Sequence, residues 1–83
     1  MNKTLSIGLA GFSFTIEEHA YIKLSDYLAA LRNSLDANEA DEVMHDIEIR
    51  MVEIFNDTLG KREVINDGDV ERVISQIGKP EEI

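Results

Sequence analysis

The residue types that could do chemistry in this 83-residue chain are few, and each stands in an incomplete set. Glu42-Val43-Met44-His45 has the Glu-x-x-His spacing of di-iron bundles, and His45 to Glu48 repeats the interval. Such a centre takes two of these motifs and two further Glu on facing helices, and one motif is present. His19 stands beside Glu18, and adjacent residues on a helix point apart. Asp67-Gly68-Asp69-Val70-Glu71 resembles a calcium loop, but its Gly comes too early, and helix capping accounts for the acids. With no Cys there is no thiolate ligand, no disulfide and no Cys nucleophile. No Ser-His-Asp order, phosphate-binding Gly loop or pair of catalytic carboxylates can be argued. The expectation is a protein that is not an enzyme and has no cofactor and no metal. Asn2-Lys3-Thr4 and Asn56-Asp57-Thr58 match a glycosylation acceptor, which has no meaning without a secretory signal.

One motif supports a rival function. Asn33-Ser34-Leu35-Asp36 is close to the Asp-Ser-Leu attachment motif of acyl carrier proteins, which are also short and acidic. On that alternative Ser34 carries a phosphopantetheine arm. Asn stands in place of Asp, Ser34 falls at the end of a helix, and a hairpin precedes everything.

Charge is the stronger signal. The net charge is −9, the opposite of the basic footprint that nucleic acids or an anionic membrane surface require. Residues 36–59 alone sum to −7, with Arg50 their single base, while residues 1–35 balance to zero. The acidity therefore belongs to one segment, either a solvated face or a surface that steers a basic partner. No apolar run approaches the ~20 residues of a membrane span, and the start does not read as a signal peptide.

The elements that position these residues follow from periodicity. Leu5, Ile7 and Leu9 alternate with Thr4, Ser6 and Gly8, and Phe12, Phe14 and Ile16 alternate with Ser13 and Thr15, which predicts a hairpin over 3–16. A turn at Ala10-Gly11 pairs 9 with 12, 7 with 14 and 5 with 16, putting all six large apolar residues on one face. Gly8 marks a bulge or a longer turn if that register fails. A first helix is expected over about 17–35, with Thr15 to Glu18 at capping-box spacing and a stripe of Tyr21, Leu24, Leu28, Leu31 and Leu35 flanked by Tyr27. A second over about 38–59 is capped by Asn38, closed by Gly60, and apolar along Ala40, Val43, Met44, Ile47, Met51, Ile54, Phe55 and Leu59. Ile22, Ile49 and Val52 lie off these stripes, either under the hairpin or at an interface. Val64-Ile65 reads as a short third strand at the hairpin edge. Asn66 caps a last helix over 67–77, which Gly78 and Pro80 end. The expected fold is a single α+β domain over 1–83, an N-terminal β-hairpin packed on a three-helix bundle. Phe12, Phe14, Leu28, Leu31, Ile47, Met51, Ile54, Val73 and Ile77 are expected to be buried together.

Three stretches carry a family likeness. They are residues 2–7 with Phe12 through Tyr21; the run Asp46-Ile47-Glu48-Ile49-Arg50-Met51-Val52-Glu53-Ile54-Phe55; and Val64-Ile65, Asp69-Val70-Glu71 and Gly78-Lys79-Pro80-Glu81-Glu82. In this order they resemble the N-terminal domain of bacterial PspC-domain (phage shock protein C-like) membrane stress proteins. The resemblance implies a cytoplasmic piece of a larger inner-membrane protein of the envelope-stress response, whose membrane segment is absent here. Members of that family are often labelled stress-responsive transcriptional regulators, and the charge argues that this part does not touch DNA. The function expected is that of an interaction or sensing domain with an unidentified protein partner or with itself. Its surface is expected at Glu42, Asp46, Glu48, Arg50 and Glu53, with Glu48 and Glu53 facing away from the core. Asp46–Arg50 and Arg50–Glu53 are spaced for an intrahelical salt-bridge ladder.

Overall fold

The computed structural model of the chain describes residues 3–80. Asn2 and Glu81-Glu82, which contribute to the family likeness, lie outside the described residues. The elements run β1 (Thr4–Leu9), β2 (Phe12–Glu17), α1 (Glu18–Asn33), α2 (Ala40–Leu59), β3 (Val64–Ile65) and α3 (Asp67–Ile77). The fold is α+β: a three-stranded sheet in the order β1-β2-β3, with three helices.

The hairpin has the register that alternation requires, with Leu5 opposite Ile16, Ile7 opposite Phe14 and Leu9 opposite Phe12. No residue is inserted at Gly8. Ala10 and Gly11 both have positive φ, +48° and +87°, as a turn matched to the right-handed twist of its strands demands. Ala pays steric strain there, and its N–H donates to Glu48 Oε1 of α2 at 3.1 Å. β3 joins β2 in parallel, Thr15 beside Val64 and Ile16 beside Ile65. A parallel neighbour needs a long crossover, and α1 and α2 together provide it. Thr4, Ser6, Gly8, Ser13 and Thr15, on the polar side of the hairpin, are exposed.

The core holds Ile16, Leu24, Leu31, Met51, Phe55, Ile65, Val70 and Val73, each essentially without exposure. The Phe14 and Phe55 rings meet at 5.8 Å between centroids, tilted by 52°. Several expectations are corrected. Phe12 is 57% exposed, while Leu9 opposite it is 3% exposed, so the cover given by the helices ends between the strands beside the turn. Phe14, Leu28, Ile47 and Ile77 are half-buried at the margin of the core. On α1 the buried line is Ala20, Leu24, Tyr27 and Leu31, rotated by about 50° from the expected stripe at 100° per residue. Two causes set this rotation. Ala20 lets the helix approach closely, and the Tyr27 hydroxyl donates to the Gly78 carbonyl at the end of α3. Tyr21, expected in the stripe, is exposed.

Helix ends also differ. Thr15 remains in β2, so α1 begins after Glu17 with no side-chain cap, and it stops at Asn33. α2 follows Glu39 and not Asn38. The Asn38 N–H donates to Asp36 Oδ1 at 2.9 Å, a local turn that competes with capping. Gly60, with φ +56°, closes α2 as expected. α3 has the full capping box: Asn66 Oδ1 accepts the Asp69 N–H, and Asp69 Oδ2 accepts the Asn66 N–H, both at 3.0 Å.

Candidate functional site

The acidic segment is mostly α2. Glu42, Asp46, Glu53 and Asp57 are exposed and recur at i, i+4, i+11 and i+15, so they form one stripe. Ile49, at i+7 from Glu42, sits in the middle of it and is 40% exposed. Asp46 and Glu53 flank Ile49 one turn before and one turn after it, so an exposed apolar side chain interrupts a line of carboxylates. Asp41, beside the stripe, is engaged by Arg32 of α1 at 2.7 Å.

Two residues expected in this surface behave differently. Glu48 is half-buried on another side of α2 and holds the Ala10 N–H, so it anchors the hairpin turn and is not free to face a partner. Arg50 is exposed, but no ion pair joins it to Asp46 or Glu53 among the described residues, so the expected ladder is not formed. The stripe thus keeps its charge uncompensated. Glu42, Asp46 and Glu53 share it, Arg50 lies at its border, and Glu48 leaves it. Of the residues off the expected apolar stripes, Val52 is buried in the core, while Ile22 and Ile49 are exposed.

Glu48→Ala is expected to lower stability by about 1 kcal/mol, because it leaves a partly covered N–H unpaired at a strained turn. Chemical denaturation reads this directly. A change no larger than that of Glu42→Ala would remove the anchoring role.

The other charged cluster joins α3 to its neighbours. Asp69, although carboxylate-bearing, is 4% exposed. Arg62 meets it with both terminal nitrogens, Nη2 at 2.7 Å and Nη1 at 3.1 Å. Burial pushes the Asp69 carboxyl up, but the Arg62 hydrogen bonds, the Asn66 N–H and the charges of Arg62 and Arg72 outweigh it. Its pKa is therefore lowered. Periodicity gave no sign of this pair, although Arg62 and Asp69 flanking a β-strand and a helix start are a readable combination. Along α1 and α3, His19 Nδ1 meets Asp67 Oδ2 at 2.9 Å and Lys23 Nζ meets Glu71 at 2.9 Å. The Glu71 hydrogen bond and the nearby carboxylates raise the Lys23 ammonium pKa in spite of desolvation.

His45 is exposed. Among the described residues, no group of three or more His, Asp or Glu is arranged to hold a metal ion. Ser34 is the C-cap of α1, and its hydroxyl donates to the Leu31 carbonyl at 2.7 Å. No helix among the described residues is long and apolar enough to cross a membrane. Compared with protein-family models, with curated proteins and with solved structures, the chain matches none.

Proposed function

We propose that this chain is a non-enzymatic protein-interaction and sensing domain that engages a basic protein partner through α2. On the family likeness of its sequence, it serves as the cytoplasmic part of a PspC-type envelope-stress protein, at the inner face of the bacterial membrane. The observation that carries the reading is the uncompensated stripe of Glu42, Asp46, Glu53 and Asp57 around exposed Ile49. Carboxylates steer a cationic surface from a distance, and the isoleucine gives the encounter an apolar contact to settle on. The same charge opposes direct contact with nucleic acid.

The test uses a partner captured with the domain as bait, titrated at rising salt. Glu42→Gln, Asp46→Asn and Glu53→Gln together are expected to weaken binding at least tenfold, which is about 1.4 kcal/mol or more in total. They should also flatten the salt dependence, since screening acts beyond ~8 Å at physiological ionic strength. Stability should hold, because exposed charges contribute little; Glu48 is left in place because it is bonded to the hairpin turn and its loss would disturb the fold. Unchanged affinity and unchanged salt dependence would return the stripe to a solubility role.

A further inference from the structure

We propose that the outer edge of β1 pairs with β1 of a second copy of this chain, antiparallel about a twofold axis at Ser6, joining two three-stranded sheets into one of six. This surface is separate from the acidic stripe of α2. β1 is an edge strand, bonded to β2 on one side only. In a hairpin with a two-residue turn, the pairs Leu9–Phe12, Ile7–Phe14 and Leu5–Ile16 exchange the internal hydrogen bonds. The N–H and C=O groups of Thr4, Ser6 and Gly8 therefore point outward, and all three residues are exposed.

Edge strands are ordinarily guarded by charge, proline, a bulge or a covering element. β1 has no charged residue, no proline and an unbroken register. Beside it runs a groove of about 360 Å³ between β1 and α1, walled by Ile7, Gly8, Tyr21, Ser25 and Leu28 among others, none of them charged.

Charge selects the occupant. The chain carries −9, concentrated on α2, so two copies repel over much of their surface. Residues 4–16 contain no charged side chain, which makes this edge the stretch where a second copy approaches without like-charge contact and where a basic partner gains nothing. The strand is also complementary to itself. Centring on Ser6 pairs Ser6 with its equivalent and Thr4 with the second copy's Gly8, so all three outward residues are bonded. A centre one residue later would pair Thr4 with the turn. In the Ser6 register Leu5 lies opposite the second copy's Ile7 on the apolar side. The half-buried side chains of both then extend the core toward the Tyr21 and Leu28 walls of the groove.

Sedimentation velocity of the full chain from about 10 µM to about 1 mM, a range that reports weak self-association, tests this. A monomer–dimer equilibrium is expected, with slower amide exchange at Ser6 and Gly8 as concentration rises. Ser6→Pro removes the N–H at the twofold in both copies, yet an outward-facing proline is tolerated on an edge strand, so the monomer should melt as before. It should raise the dissociation constant at least about tenfold. Tyr21→Glu, at an exposed helix position, places a charge in the groove wall and should do the same; it carries the test if Ser6→Pro disturbs the fold. A chain monomeric throughout the range overturns the proposal. So does a dimer that survives both substitutions, or protection of Ser6 and Gly8 that appears only when a foreign extended peptide is added.

Discussion

Phe55→Ala is expected to bring the domain close to unfolding at room temperature. Phe55 is fully buried, packs on the Phe14 ring, and lies where α2 meets the sheet. Truncating a buried phenylalanine costs about 3–5 kcal/mol, from lost transfer energy and from the cavity left behind. At roughly 0.05–0.15 kcal/mol per residue, the 83 residues hold only about 4–12 kcal/mol in total. A fall in Tm of roughly 20 °C follows for a domain of this size, measured by circular dichroism. Phe12→Ala is the control. Phe12 is more than half exposed, and its truncation should stay within about 0.5 kcal/mol. Equal losses at the two positions would show that the hairpin does not sit on α2 as described.

The second large effect is at Asp69. Its carboxylate joins the Arg62 side chain to the N-terminus of α3 and closes the capping box. Asp69→Ala removes the box acceptor and leaves the Asn66 N–H unpaired, a loss of about 2 kcal/mol. The same group sets part of the acid limit. Its folded pKa is lowered, so its contribution is complete above the unfolded value of about 4 and is lost as pH falls through the folded value. Stability of the wild type should therefore decline below about pH 4 more steeply than that of Asp69→Asn, which keeps the size and loses the charge. Parallel acid limbs for the two proteins would show that the Asp69 charge has no part in stability.

Much of the architecture was legible because it rests on local rules. Strict alternation over residues 4–16 specifies strand pairing, since a one-residue slip would turn every apolar side chain to solvent. Asn66 before Asp69, with Gly78 behind, specifies α3 because cap geometry depends on neighbours in sequence. Gly60 ends α2 for the same reason: it accepts the positive φ that other residues resist. The concentration of acid on α2 was equally plain, since charge is counted without coordinates.

What the chain of letters left open was decided by packing across elements. Whether Ile49 or Val52 is covered depends on where other elements lie over α2: Val52 is buried, and Ile49 is left in the acidic stripe. Glu48 and Glu53 were alike in sequence, two carboxylates on one helix. Only the Ala10 N–H, 38 positions from Glu48, separates the anchor from the free face. The face of α1 turned inward because Ala20 permits close approach and Tyr27 finds the Gly78 carbonyl 51 positions away. The sequence by itself determined the elements and their charge, since helices, strands and caps are set by residues near one another in the chain. The tertiary structure alone decided which carboxylates are bonded and which stay exposed, since long-range hydrogen bonds join residues whose separation no periodicity encodes.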